Sequence, residues 1–210
     1  ADCGKISMLK EHDKLADINS DRINIIYVGN MYYHRGIDII IDAFDLLDAS
    51  DYHLTLIGPA PDPTGDEFKD QFAKNLKNPF LEMVNKREGC EYLGVLSHED
   101  AIHQMIKADI GICLLPADRN LPHIQYSYPI KIFEYMATDS AVVATHTPTT
   151  SSLLCAGQRI SSSSHTELAS TIKEMVENGN VEKYKQENEK NVQKHCWHEL
   201  RDKLNKELEV

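Results

Sequence analysis

Two charged residues three apart, Lys131 and Glu134, stand in the stretch YPIKIFEYMA at 128–137, directly after Pro129. Ile132, Phe133, Met136 and Ala137 around them follow a helical spacing. A helix here therefore buries that apolar face and projects the charged couple from one side, near its first turn. A proline at the first helical position leaves the amides of Ile130 and Lys131 free to donate to an anion, and Lys131 adds a mobile charge at that end. Glu134, one turn further in, is suited to accept the two vicinal hydroxyls that a ribose offers. The competing reading is a surface salt bridge between the two side chains. A second cation, Arg35, closes VGNMYYHRG (28–36) just ahead of Gly36, where another helix opens. A guanidinium beside a helix N-terminus brings fixed donors and positive potential to a diphosphate, and its competing reading is a solvent-facing loop arginine.

Those residues need elements to hold them. INIIYVG (23–29) is a continuous apolar run stopped by glycine, the pattern of a strand buried on both faces. YHLTLIG (52–58), CEYLGVL (90–96), DIGICLLP (109–116) and SAVVAT (140–145) repeat that pattern, and a short strand is expected near QRIS (158–161). Helical spacing occupies 36–50, about 66–77, 79–87, 97–108, 165–178 and 180–208, with Ser97 and Asp100 arranged as an N-terminal capping pair. Strands alternating with helices predict an α/β fold, a Rossmann-like doubly wound parallel sheet with C-terminal helices. Ligands bind such sheets at the strands' carboxyl ends. Gly29, Gly58, Arg35 and the start of the Lys131–Glu134 helix all fall there. No GxGxxG occurs, which weakens a dinucleotide-binding reading.

Composition removes several classes. The 210 residues carry a formal charge of −11, against the basic footprint of a nucleic-acid binder. No apolar run approaches the roughly 18 residues of a membrane span. The 5 cysteines are odd in number and never paired as CxxC, which suits five free thiols in a reducing cytosol. None of the 10 histidines falls in HxxxH or HExxH spacing, so no metal site is expected.

Four blocks in order make the chain resemble the C-terminal, donor-binding half of the group 1 (family 4) glycosyltransferases. They are IIYVGNMYYHRGIDIIIDAF, LTLIGPAP, EYLGVLSHEDAIHQMIKADIGICLLP and YPIKIFEYMATDSAVVATHT, followed by the tail HCWHELRDKLNKELEV. The resemblance implies one half of a GT-B fold: a lead-in at 1–21, a nucleotide-sugar-binding domain at 22–178 and a C-terminal helix packed on it at 179–210. It implies a retaining sugar transfer from a nucleoside-diphosphate sugar to an acceptor held by an absent N-terminal domain. No cofactor or metal is implied, and this half alone should bind but barely turn over. Cytoplasmic placement is implied, with peripheral membrane contact through the absent half.

The site residues follow from matching motifs. Arg35 with Gly36 stands where the family has a phosphate-gripping lysine before glycine, and Asn30 stands where an arginine is usual. Glu134 matches the second glutamate of a Glu-x7-Glu motif, whereas the first position is Tyr126, so sugar recognition must differ. A Pro-x-Lys-x-x-Glu-Tyr form, matched here, places Lys131 near the diphosphate. Base contacts are implied from the 94–97 loop, with Val95 and Leu96. The implied donor site is thus Gly29, Asn30, Arg35, Gly58, Val95, Leu96, Tyr128, Ile130, Lys131 and Glu134, with Arg35 and Lys131 catalytic. Arg35, Gly29, Lys131 and Glu134 are expected in one pocket, with loss of Lys131 costing less nucleotide affinity than loss of Glu134. The family's glycine before its fifth strand is Asp139, which tolerates a left-handed turn. Two other readings stay open: a non-catalytic nucleotide-sugar-binding module, and half of a nucleotide-sugar 2-epimerase.

Overall fold

In the computed structural model of the chain, residues 2–13, 21–60, 80, 82, 84–116, 119, 126–161 and 164–208 are described. The helix expected at 66–77 lies outside them. Strand β1 (Ile23–Val28) runs through the sheet's middle because both its faces are apolar: Ile25 and Tyr27 point one way, Ile26 and Val28 the other. Its neighbours are β2 (Tyr52–Ile57) on one side and β4 (Ile110–Cys113) on the other. With β3 (Cys90–Gly94), β5 (Ala141–Thr145) and β6 (Arg159–Ile160), the order is β3-β2-β1-β4-β5-β6, and every pair is parallel. Strand order reverses between β1 and β4, which opens a crevice above their carboxyl ends.

Two apolar layers clamp the sheet. On one face Ile25, Tyr27, Leu54, Leu56, Ile110 and Ile112 meet α2 (Ile37–Phe44) and a later helix, α6 (His165–Glu177). On the other, Ile26, Ile57, Cys113, Val142 and Ala144 meet α3 (His98–Ile106) and α4 (Ile130–Ala137). α1 (Cys3–Asp13) packs against α3 and α4. A short α5 (Pro148–Leu153) replaces the loop expected after β5: Thr147 and Thr150 form a reciprocal capping box there, with Pro148 in the first turn.

Two expectations are corrected. The single helix expected over 180–208 is two, α7 (Asn180–Gln193) and α8 (Trp197–Leu208). α7 packs through Val181, Tyr184, Asn188 and Val192, one face of a helix, and Asn188 donates to Ser140 O at 3.1 Å and Gln158 Oε1 at 2.9 Å. α8 leaves Trp197, Leu200 and Leu204 exposed. The break between them holds Cys196, and Cys196 forms a disulfide with Cys3, so five free thiols is not the outcome; Cys90, Cys113 and Cys155 are free. A sequence separation of 193 residues hid that pairing from local spacing rules. Asp139 does take the left-handed turn, at φ 61°. Among the described residues no helix is long and apolar enough to cross a membrane, and no group of three His, Cys, Asp or Glu side chains could hold a metal ion.

Candidate functional site

The strand exits bordering the crevice are stitched by backbone bonds. Gly29 N donates to Ile57 O at 2.8 Å, and Gly58 N donates to Gly94 O at 2.8 Å. Val28 N, beyond the last β1–β4 pair at Ile26, donates to the hydroxyl of the fully buried Tyr135 at 2.9 Å, so α4 caps β1 on that side. Gly29 (φ 153°) and Gly58 (φ 133°) take backbone conformations that side-chain-bearing residues rarely adopt, and a Cβ on Gly58 would overlap the Gly29 carbonyl. Gly58→Ala is therefore expected to cost about 1–3 kcal/mol of stability, read from the midpoint of a urea transition; an unshifted midpoint contradicts the packing described.

Lys131, the second residue of α4, reaches back over this turn. Its Nζ lies 4.4 Å from the Tyr27 ring centroid, and a Cβ on Gly29 would stand 2.5 Å from it. Arg35 ends a 3₁₀ turn, Tyr33–Arg35, capped by Gly36 in the left-handed region at φ 72°. Arg119 braces that turn: it donates to Tyr33 O at 3.1 Å and Asp38 Oδ1 at 2.6 Å, with its guanidinium 3.8 Å from the Tyr33 ring centroid. Neither the Arg35 guanidinium nor the Lys131 ammonium forms an ion pair or hydrogen bond among the described residues, in a chain of net charge −11. Burial lowers the Lys131 pKa below the usual ammonium value; the like charge of Arg35 adds to this, while Cys113 and Glu134 oppose it. Two partly buried cations with no paired carboxylate among the described residues give this corner a local positive potential.

Pro129 (ψ 120°) is the cap of α4 and the helix starts at Ile130, one residue later than the sequence suggests. Ile132 N bonds Pro129 O at 3.1 Å, whereas the amides of Ile130 and Lys131 stay open among the described residues. The charged couple of the sequence separates: Lys131 leans to Gly29 and Tyr27, and Glu134 Oε1 accepts from His98 Nε2 at 2.8 Å. His98 opens α3, whose cap Ser97 accepts from Asp100 N at 3.1 Å, so Glu134 is tied to the β3 exit.

The structure thus brings Gly29, Gly58 and Lys131 into one cluster with Arg35 in electrostatic reach. Glu134 borders it from one turn along α4. Asn30 is exposed, and its carbonyl accepts from the Tyr27 hydroxyl at 3.0 Å. Leu96 packs into the second apolar layer, and Val95 is exposed on the same loop. Tyr128 and Ile130 are exposed beside the start of α4, with the Tyr128 ring 6.1 Å from that of Phe133. Tyr126 is exposed as well. Sequence reasoning missed Tyr27, Tyr135 and His98: the first two read as core positions in apolar runs, and His98 as a helix-start residue. Only the polar tip of each tyrosine, an uncommon burden for a core, signalled another task.

Chemically, this crevice offers two cations, two free amides and one carboxylate, which suits an anion carrying neighbouring hydroxyls. The nearby Cys113 thiol is fully buried and its pKa is raised by that burial, so no thiolate nucleophile stands here.

A sequence profile of the family described as glycosyl transferases group 1 matches residues 10–194. Among solved structures, HepE of Anabaena, in complex with UDP and glucose, superposes with a TM-score of 0.63 at 16% identity, covering 90% of this chain and 48% of that one. The UDP-forming α,α-trehalose-phosphate synthase of Burkholderia vietnamiensis superposes at 0.71 with 14% identity, covering 99% and 51%. The trehalose-6-phosphate synthase OtsA superposes at 0.71 with 15% identity, covering 100% and 50%. The chain therefore spans about half the length of these proteins, and likeness at such identities carries the fold alone. No curated protein sequence matches. The profile spans more than half of the chain and its fold is a Rossmann-like GT-B half, so the chain belongs to the group 1 glycosyl transferases.

Proposed function

We propose that this chain is the donor-binding half of a retaining glycosyltransferase, and that it holds a nucleoside-diphosphate sugar at the β1–β4 crevice. The observation that carries this reading is the pair of uncompensated cations, Arg35 and Lys131, beside the open amides of Ile130 and Lys131. A diphosphate satisfies all of these at once. The anion also gains from the positive end of α4. During transfer the same groups take up charge on the departing diphosphate, which is catalysis by fixed dipoles and charges. Arg35 and Lys131 are in that sense the catalytic residues. Glu134 accepts the ribose hydroxyls, Val95 and Leu96 border the base, and Gly29 and Gly58 let the backbone approach the phosphates. Asn30, Tyr128 and Ile130 complete the rim.

The acceptor belongs to a second domain of comparable size, in keeping with the half-length match to the solved relatives. Closure of two domains completes such sites, so this chain by itself binds donor without turnover. No metal or other cofactor takes part, and any membrane contact is made through the second domain. Tyr126, exposed where a sugar-contacting glutamate is usual, favours the alternative of a binding module that has lost transfer. Turnover of donor by this chain together with its acceptor domain separates the two.

Glu134→Ala is expected to weaken nucleoside-diphosphate binding by about 1.5–3 kcal/mol, the range for hydrogen bonds to a charged group. Calorimetric titration with UDP, GDP and ADP reads it directly. Unchanged affinity would leave Glu134 as a surface partner of His98 and nothing more.

A further inference from the structure

The carboxylate of Glu134 lies in electrostatic reach of Lys131 on α4 and is hydrogen-bonded to His98 on α3. Lys131 is a single helical turn away but more than an ion-pair distance off, since no bridge joins them, and its Nζ is committed to the Tyr27 ring. Among the described residues its side chain pairs with His98, 2.8 Å from Oε1, and the two side chains are unequal: His98 is 68% exposed and Glu134 only 15%. A largely buried carboxylate held by a solvent-facing imidazole is arranged the wrong way round for a stabilising surface bridge. Stability would gain little from a partner so free to leave.

The imidazole is nevertheless placed with care. Ser97 caps α3, its hydroxyl accepting from Asp100 N at 3.1 Å and donating to Asp100 Oδ2 at 2.6 Å, so the residue that follows has a fixed backbone. A carboxylate can only accept, which makes Nε2 the donor and fixes the ring. One lone pair of Oε1 is thereby used, and the carboxylate plane is set while Oε2 and the remaining lone pair of Oε1 stay available to a ligand. Without that tether, the nearest stronger partner for Glu134 is Lys131, and their pairing would quench the cation that the crevice leaves uncompensated.

We propose that His98 is a positioning residue of the donor site: it holds the Glu134 carboxylate turned to a ribose diol and off Lys131. This rests on the ribose reading of Glu134 given above and names a residue that acts through it. His98 thereby links the β3 exit to sugar recognition on α4, two elements that the sequence separates by 36 positions.

The experiment is a titration cycle on the full chain. Native protein, His98→Ala and His98→Gln are each titrated with UDP and with 2′,3′-dideoxyuridine diphosphate, with the GDP and ADP pairs run in parallel. The native chain is expected to bind the ribose form at least about tenfold more tightly than its dideoxy analogue, which lacks both hydroxyls, the least effect of losing hydrogen bonds to a charged group. In His98→Ala that ratio falls below about threefold, with weaker binding of the ribose form and an unchanged thermal midpoint. In His98→Gln, whose amide retains a donor, discrimination is partly restored. A native chain that binds none of these nucleotides, or does not discriminate, overturns the ribose reading and this proposal with it. A native chain that discriminates, joined to a His98→Ala variant that discriminates equally, overturns the role of His98 and leaves the ribose reading standing.

Discussion

Lys131→Ala is expected to weaken binding of a nucleoside diphosphate by about 2–3 kcal/mol, thirtyfold or more, at least as much as Glu134→Ala. The sequence suggests the opposite ranking, because a lysine at a solvated helix end is mobile and screened. The structure changes the physics. Lys131 is partly buried, its Nζ is confined over the Tyr27 ring at 4.4 Å, and Arg35 adds a like charge while no described carboxylate pairs with either cation. A diphosphate therefore removes a repulsion while forming its own contacts. Its removal by salt is also limited, since screening acts weakly on partly buried pairs. Calorimetry of Lys131→Ala in dilute buffer and again in half-molar salt, about three-fold shorter in Debye length than 0.05 M, checks both points. A loss below about threefold, or one that vanishes in salt, returns Lys131 to the role of a surface lysine.

Cys3→Ser is expected to lower stability by about 2–4 kcal/mol, or roughly 5–15 °C in thermal midpoint for a chain of this size. The bond joins α1 to the α7–α8 break across 193 residues, and both sulfurs are buried in the second apolar layer with Ile6, Met136 and Val192. Its loss frees a long stretch of the unfolded chain, which is where most of the effect arises. Thermal melts of native and Cys3→Ser protein, each with and without reductant, read it. Reductant should lower the native midpoint and leave the variant's unchanged; equal midpoints throughout would show that the thiols are not joined. Because disulfides persist in oxidising surroundings, cysteine usage no longer argues for a reducing compartment.

Legibility divides along a physical line. β1, β2, β4 and β5 were readable because each is a short apolar run closed by glycine, proline or a polar turn, as parallel strands inside a sheet bury both faces; β3 and β6, at the two edges, carry weaker runs and are less buried. The boundaries of α2, α3 and α6 were readable to within a few residues, except that α2 stops at Phe44, ahead of the exposed Asp45 and Leu46, while Leu47 packs into the core from the turn that follows. What failed was long-range. The Cys3–Cys196 bond, the break after α7 and the His98–Glu134 contact each join parts whose nearness only the folded sheet creates. In the site, Gly29, Gly58 and Lys131 converge as their placement at strand exits predicts. The supposed Lys131–Glu134 couple does not form, because i,i+3 spacing brings two side chains to one side without deciding which neighbour each prefers. Tyr27 and His98 settle that preference, and neither carries a motif.

The central claim is that a nucleoside diphosphate sits between the Gly29 turn and the start of α4. Crystals of the chain grown with whichever of UDP, GDP and ADP gives the largest thermal shift test it most directly. The expected result is a diphosphate within hydrogen-bond distance of Lys131 Nζ, the Arg35 guanidinium and the Ile130 and Lys131 amides, with its ribose on Glu134. A diphosphate bound elsewhere, or a crevice left empty at millimolar nucleotide, would contradict the account.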